Sequence, residues 1–487
     1  MVNRLVSVGD DFTLPAALKV ADANLPSASK AATLAATFGS FINFTDPRIG
    51  GKGDGTTDNT AAFNAALALL ATTGGTLFFP AGVYLINGTT DPVPGGVWLT
   101  GTGYDYHTPS SSSDKPRLMS VIRAGAVMTR LIQLGTDATI STSGSTGASI
   151  RNLVVDGDRK AATTVKTAGR RNRIIESEIY FGTSNALWIA GQNTHAIGNV
   201  IGQDNTGDVI LVKGYYDNKI WDNQIRQPGT TGAAIHLHGD GANQTDIQRN
   251  HMWAGANAVA AVAKALIWLE ATATNGVTNT LIQDNTIEGV LGPEILLDGV
   301  AGSAGIRGVD ISGNRFYQND NMPSDDTYSV IDTSGASISS ITVTGNIING
   351  RATNFRYKSI LNLAATITSS TRIVMSANVG LYVGRILSGI VPPNRIHQYG
   401  NKIHNGTASV ASDNNNVAGW SGDGTQKWVI WAHGLAGIPT TVTVTPGSLD
   451  ATGPFFVEFD ATNITVKYTT APPAGTNNVK LNWFASV

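Results

Sequence analysis

Five short runs in the middle of the chain share one pattern of apolar, variable, apolar, variable: Leu187-Trp188-Ile189-Ala190, Ile210-Leu211-Val212-Lys213, Ile235-His236-Leu237-His238, Ile267-Trp268-Leu269-Glu270 and Ile295-Leu296-Leu297-Asp298. In an extended strand, alternate side chains leave opposite faces, so apolar positions turned inward send both variable positions outward. One outward column then reads Trp188, Leu211, His236, Trp268, Leu296, and the other Ala190, Lys213, His238, Glu270, Asp298. If the runs stack as neighbouring strands about 4.8 Å apart, Glu270 and Asp298 are near neighbours and His238 flanks Glu270. Two carboxylates that close push one proton affinity upward, leaving one acid and one base or nucleophile. Cleavage of a glycosidic bond needs that division, and a separation of about 5 Å suits the retaining route. Trp188, Lys213, His236, His238 and Trp268 are candidates for holding sugar beside the carboxylates. The competing reading is a solvated strand face whose charges compensate one another and whose Trp side chains pack under a loop or a neighbouring subunit.

A scaffold that repeats is needed to stack these runs, and the sequence carries one. An apolar residue, two small or polar residues, Asn, one variable residue and another apolar residue recur as Ile220…Asn223…Ile225, Ile247…Asn250…Met252, Ile282…Asn285…Ile287, Ile311…Asn314…Phe316 and Val343…Asn346…Ile348, with looser copies at Asn199, Asn378 and Asn401. The clean copies are 27, 35, 29 and 32 residues apart. Such irregular steps do not suit a helical array, but they suit coils of a parallel β-solenoid whose loops vary in length. The Asn is expected at the same corner of each coil, in a left-handed backbone, bonded to its own turn and to the Asn of the next coil.

Composition narrows the class. The chain has 487 residues, 55 of them Gly, only 14% charged, and a net charge of −2. A turn-rich β protein fits these figures, and nothing pulls toward nucleic acid or an anionic membrane surface. Without Cys there are no disulfides, Cys-ligated zinc or thiol nucleophiles. The start of the sequence lacks the apolar run of a signal peptide. AGANAVAAVAKALIWLE, from Ala254, is too short for a membrane span and holds Lys264, so an elaborated loop leading into a strand is expected.

Residues 1 to 45 are Ala-rich without β periodicity and read as a separate head segment. After them, Thr57 or Asp58 is placed to cap a helix over about 57–71 with Phe63, Ala66, Leu67 and Leu70 on one face, ended by Gly74-Gly75. Laid across the first coil, that helix would cover exposed strand edges. GKGDGTTD lacks the Lys-Ser/Thr of a phosphate loop and the spacing of an EF-hand, so turn and cap is its expected role. From about 411, a polar Gly- and Asn-rich connector leads into short alternating runs with Pro-Gly turns, expected to form a compact β-sandwich to residue 487.

The stretch from Ile49 to Gly88, with GKGDGTTDNTAAF and then GGTLFFPAGVYLI, closely resembles the opening of pectate-lyase-like right-handed β-helix proteins, above all bacteriophage tailspikes and tail fibres. With the coil repeats, the resemblance covers residues 49 to about 400. It implies an all-β chain: an N-terminal virion-attachment segment (1–45), a right-handed single-stranded parallel β-helix with its capping helix (46–410), and a C-terminal module for trimerisation or carbohydrate binding (411–487). It further implies a homotrimer on the virion tail, joined to a baseplate or tail adaptor through its N-terminus, that binds and often depolymerises a bacterial surface polysaccharide such as capsule, O-antigen or exopolysaccharide. Neither nucleic acid nor membrane insertion belongs to that picture.

The expected reaction is glycosidic hydrolysis by Glu270 and Asp298, with no cofactor and no metal. The alternatives are a tail fibre that grips polysaccharide without cutting it, and a lyase acting by β-elimination with His238 or Lys213 near the abstracted proton. The Ca²⁺-binding Asp cluster and catalytic Arg of true pectate lyases are not recognisable, and the missing signal peptide disfavours a secreted cellular pectinase. Asp156, Asp158, Asp325 and Asp326 sit in turn-like contexts, and His433 reads as a turn residue. Asp204, Asp208 and Asp332 are placed to reach a neighbouring chain's groove, and Glu294 to support the Asp298 strand.

Overall fold

The computed structural model describes residues 40–103, 119–136, 147–202, 207–227, 232–239, 242–254, 264–289, 292–300, 305–317, 328–335, 337–350, 357–363, 372–383, 386–389, 396–404, 409–411, 413–435 and 437–487. The candidates Asp204, Asp325 and Asp326 lie outside these residues, as do the head segment up to residue 39 and most of the apolar stretch before Lys264.

Short strands wind as a right-handed parallel β-helix with three long sheets, of 14, 10 and 14 strands among the described residues. Apolar side chains fill its interior in a continuous column running from Ile42 through Ile174, Ile247 and Ile311 to Ile386. Phe41–Asn43 pairs in parallel with Gly75–Phe78, so the coil takes in residues ahead of 46.

The Asn ladder runs unbroken from Asn199 through 223, 250, 285, 314, 346 and 378 to Asn401, every member buried. At each step the backbone N–H and the side-chain Nδ2 of one Asn both donate to the Oδ1 of the next, for example Asn250 to Asn285 at 2.9 and 3.0 Å. Nδ2 also donates to a carbonyl of the preceding coil, as Asn285 does to Ile247 at 2.9 Å. Left-handed backbone occurs at this corner, but one residue earlier than expected. Gly198, Asp222, Arg249, Asp284, Gly313, Gly345, Ala377 and Gly400, each immediately before a ladder Asn, all have φ between 52° and 68°. The turn is thus made by the preceding residue, and the Asn is left to satisfy buried polar groups.

The helix Thr60–Leu70 buries Phe63, Ala66, Leu67 and Leu70 as its spacing dictates. Phe63 meets Phe44 and Phe79 at ring-centroid distances of 6.3 and 6.2 Å, closing the end of the apolar column. Burying each such large side chain contributes about 1.5–3 kcal/mol. The N-terminal residues differ from expectation because Asp54–Asp58 is a strand and Asn59 occupies the cap position. The Asp58 carboxylate accepts from the Thr60 amide at 3.0 Å, whereas the Thr57 hydroxyl donates to Asp54 at 2.6 Å. At the other end Gly74, with φ of 66°, turns the chain away.

Beyond the coil, Asp413–Trp420, Val479–Ser486 and Thr441–Pro446 form one antiparallel sheet, and Trp428–Ala432, Asn463–Tyr468 and Phe455–Phe459 a second. Val466 and Tyr468 pack on Val479 and Leu481, which makes the pair a small sandwich. His433 lies buried at a turn of this sandwich, its Nδ1 accepting from the Leu435 amide at 3.0 Å. Among the described residues, no helix is long and apolar enough to cross a membrane.

Candidate functional site on the ten-stranded sheet

The five runs are consecutive strands of the ten-stranded sheet, and their apolar positions are fully buried: Ile235, Leu237, Ile267, Leu269, Ile295 and Leu297 face the core. Alternation therefore turns His236, His238, Trp268, Glu270, Leu296 and Asp298 outward. The strand pairing sets Trp188, Leu211, His236, Trp268, Leu296 and Asp332 in one column, and His238, Glu270, Asp298 and Ser334 in another. Lys213, exposed, follows Val212, which pairs with Leu237; this sets it level with His238.

The centre of this face is a chain of three charged groups. His236 has only 5% of its surface exposed. Its Nδ1 lies 2.8 Å from Asp208 Oδ2 and its Nε2 lies 3.0 Å from Glu270 Oε2. The imidazole stacks on the Trp268 indole with centroids 3.9 Å apart and planes 10° from parallel. With both ring nitrogens against carboxylates, the imidazolium is the form that satisfies every contact. Burial pulls its proton affinity down, but the hydrogen bonds to Asp208 and Glu270 outweigh burial and hold it above the usual histidine value. Asp208 is itself anchored, its Oδ1 accepting from the Ala233 amide at 2.8 Å.

Glu270 is shaped by the same contact. The hydrogen bond from His236 holds its carboxyl below the ordinary glutamate range despite partial burial, aided by the charges of His236, His238 and Lys264. His238 Nε2 stands 3.6 Å from the same Glu270 oxygen. Asp298, although directly opposite Glu270 in register, looks away: its Oδ1 accepts from the Ser334 hydroxyl of the following coil, and its Oδ2 lies 3.9 Å from Lys264 Nζ. Each carboxylate is thus bonded to the coil on its far side. The expected upward push from mutual repulsion is not met at Glu270, because a cation stands closer to it.

Two further candidates have partners within the chain. His236 is wedged between carboxylates and an indole, so it positions other groups and has no ring nitrogen left for sugar. Asp208 reaches His236 of its own chain. Its signal in the sequence is a polar residue two places before Ile210, where alternation would have pointed it inward. Trp188, two strands before His236, is half-buried and carries Lys166 Nζ 4.5 Å from its ring centroid. Lys264 Nζ sits 4.7 Å from the Trp268 ring. Glu294 is fully buried and accepts from the Tyr357 hydroxyl at 2.7 Å, which makes it part of the core beneath the strand. Among the described residues, no three His, Asp or Glu side chains converge as a metal site would require.

The model of a carbohydrate-enzyme family, described as rhamnogalacturonase A/epimerase, pectate lyase-like, matches residues 41–290, just over half the chain. The chain belongs to this family. The matched span holds Trp188, Asp208, Lys213, His236, His238, Trp268 and Glu270, while Asp298 lies beyond it. Among solved structures, the family member is similar to the A-module of a mannuronan C-5 epimerase of Azotobacter vinelandii, with TM-score 0.51 and 16% identity over 74% of this chain and 98% of that one. DFA-IIIase of Arthrobacter chlorophenolicus gives TM-score 0.51 and 14% identity over 74% and 93%. The Dettilon tailspike protein gives TM-score 0.49 and 12% identity over 93% and 95%. These likenesses are likenesses of fold. A search of curated proteins finds no match.

Proposed function

We propose that the protein is a bacteriophage tailspike that binds a bacterial surface polysaccharide and depolymerises it by glycosidic hydrolysis on the outer face of the ten-stranded sheet. One observation carries the reading: Glu270 and Asp298 stand opposite each other on adjacent coils, with the Trp268 and Trp188 indoles on the same face. Paired carboxylates beside aromatic faces are what an oligosaccharide groove requires. The tailspike role rests on the sequence resemblance of residues 49 to about 400. The carbohydrate chemistry draws further support from the family's description and from the two enzyme neighbours, the mannuronan C-5 epimerase module and DFA-IIIase.

In this reading Glu270, kept ionised by His236, is the base or nucleophile, and Asp298 supplies the proton to the leaving oxygen. Water adds across the broken bond: its hydroxyl goes to the anomeric carbon and its one remaining proton to Glu270, while Asp298 gives its own proton to the departing sugar oxygen; passage of the proton from Glu270 back to Asp298 through solvent restores the starting state. The head segment would attach the spike to the tail, and three copies would assemble with the C-terminal sandwich as trimerisation or sugar-binding module.

A lyase reading draws on one feature, Lys264, which lies between Asp298 and Trp268 and could neutralise a uronate carboxylate ahead of β-elimination. Incubating the purified protein with surface polysaccharides from a panel of bacteria, while following chain length and ultraviolet absorbance, tests all readings. Shortening without absorbance supports hydrolysis, and shortening with absorbance overturns it in favour of elimination. Binding without shortening leaves a receptor-binding fibre.

A further inference from the structure

The unabsorbed residue in this site is Asp208, which no substrate role requires and which the fold nevertheless brings onto a buried histidine. We infer that Asp208 and His236 are positioning residues: together they lock the Glu270 carboxylate in one orientation and hold it ionised while sugar displaces water from the groove. The inference rests on the hydrolytic reading and deepens it.

Three contacts carry the argument. Asp208, pinned by the Ala233 amide, fixes Nδ1 of His236 at 2.8 Å. Trp268 fixes the plane of the ring by stacking at 3.9 Å. With ring plane and one nitrogen set, Nε2 has a single direction, and Glu270 Oε2 lies along it at 3.0 Å. A carboxylate about to accept a proton or attack carbon loses its solvent when substrate binds, and desolvation raises its proton affinity. A buried cation bonded to it opposes that rise, and it supplies the stabilisation before substrate arrives. Asp208 in turn keeps the imidazole cationic; without it, burial would favour the neutral ring. The charged groups facing this unit are Asp208 from the preceding coil, His238 on the same strand, Glu270 and Lys264 from the following coil, and Asp298 opposite Glu270 on the coil after that, with Lys213 level with His238. Lys264 and His238 favour the Glu270 anion, while Asp208 and Glu270 favour the His236 cation. Removing Asp208 therefore weakens that cation first.

The test is Asp208→Asn, read by nitrogen-15 NMR of the histidine rings and by the pH profile of depolymerisation. We expect both His236 ring nitrogens to be protonated at neutral pH in the native protein. In D208N the His236 titration falls by a pH unit or more, kcat drops about tenfold with KM little changed, and the acid limb of kcat moves to higher pH. Asp208→Glu, which keeps the charge, retains the high titration of His236 and loses only a few-fold in kcat; it also serves if D208N does not fold. A His236 that titrates near its ordinary value of about 6.5 in the native protein overturns the inference, as does an unchanged pH profile in D208N. If the native protein cleaves nothing, the hydrolytic reading fails, and the NMR arm still decides whether Asp208 holds His236 as a cation.

Discussion

His236 and Glu270 are 34 residues apart in sequence and on adjacent coils, yet Nε2 of one lies 3.0 Å from Oε2 of the other. That contact sets the protonation of both groups. It also commits the Glu270 carboxylate to the coil before it, away from Asp298, its register neighbour.

Replacing Glu270 by Gln removes the proposed base and should lower kcat by about 10²–10⁴-fold, the usual contribution of such a group, while binding of the polymer persists. Asp298→Asn should act similarly. Size-exclusion chromatography of the digested polysaccharide checks both, and a double variant that still cleaves would dispose of the site.

Because Glu270 bonds to the coil before it and Asp298 to the coil after it, their oxygens are drawn apart. A gap between the carboxylates leaves room for water and predicts inversion at the anomeric carbon. Proton NMR of the first products, recorded before mutarotation, would show the inverted anomer; a retained anomer would mean that the two groups close on the sugar together.

Linkage gives the pH dependence a definite sign. His236 has its folded proton affinity raised, so its contribution to stability is full below the unfolded value of about 6.5 and is lost as pH rises through the higher folded value. Glu270 has its affinity lowered, so its contribution is present above the unfolded value of about 4.3 and is lost as pH falls through the lower folded value. The stability gap between native protein and His236→Gln should therefore be widest between about pH 4.5 and 6.5 and narrow on either side. Urea titrations at several pH values would measure it, and a gap that grows steadily above pH 8 would contradict the assignment.

Trp188 lies off the charged centre, under Lys166. Trp188→Ala should weaken binding of the oligosaccharide about tenfold and leave kcat nearly intact, the mark of uniform binding. Trp268→Ala should lower kcat as well, since it also removes the stack on His236. Calorimetry with a defined oligosaccharide, beside steady-state rates, separates the two.

In the scaffold, Asn285→Ala strands the buried Asn250 donors and removes bonds to Asn314 and Ile247. Leaving buried polar groups unpaired costs about 1–3 kcal/mol each, so a clear fall in melting temperature is expected. Ala377, whose φ is 52°, is the opposite case. Ala377→Gly relieves left-handed strain of roughly 1–2 kcal/mol against a smaller entropic loss of about 0.5–1 kcal/mol, and should melt no lower than the native protein.

Much of the architecture was written locally. The Asn spacing, the alternation of the outward runs and the apolar face of Thr60–Leu70 each state which side of an element faces the core, because strand and helix periods convert position into direction. The two outward columns were legible for the same reason: one register per coil aligns every later residue. What no local pattern could supply was the direction in which each outward side chain turns along the stack. The sequence placed Glu270 between Asp298 and His238, and set His236 in the other outward column. Only the tertiary structure gave Oε2 to His236, because Asp208 and Trp268, brought from other coils, had already fixed that ring. Similarly, an Asn corner was readable, but its left-handed residue proved to be the one before, since the Asn side chain is committed to buried bonds on both sides. Periodicity thus determined the faces of this protein, and contacts between coils decided the chemistry on them.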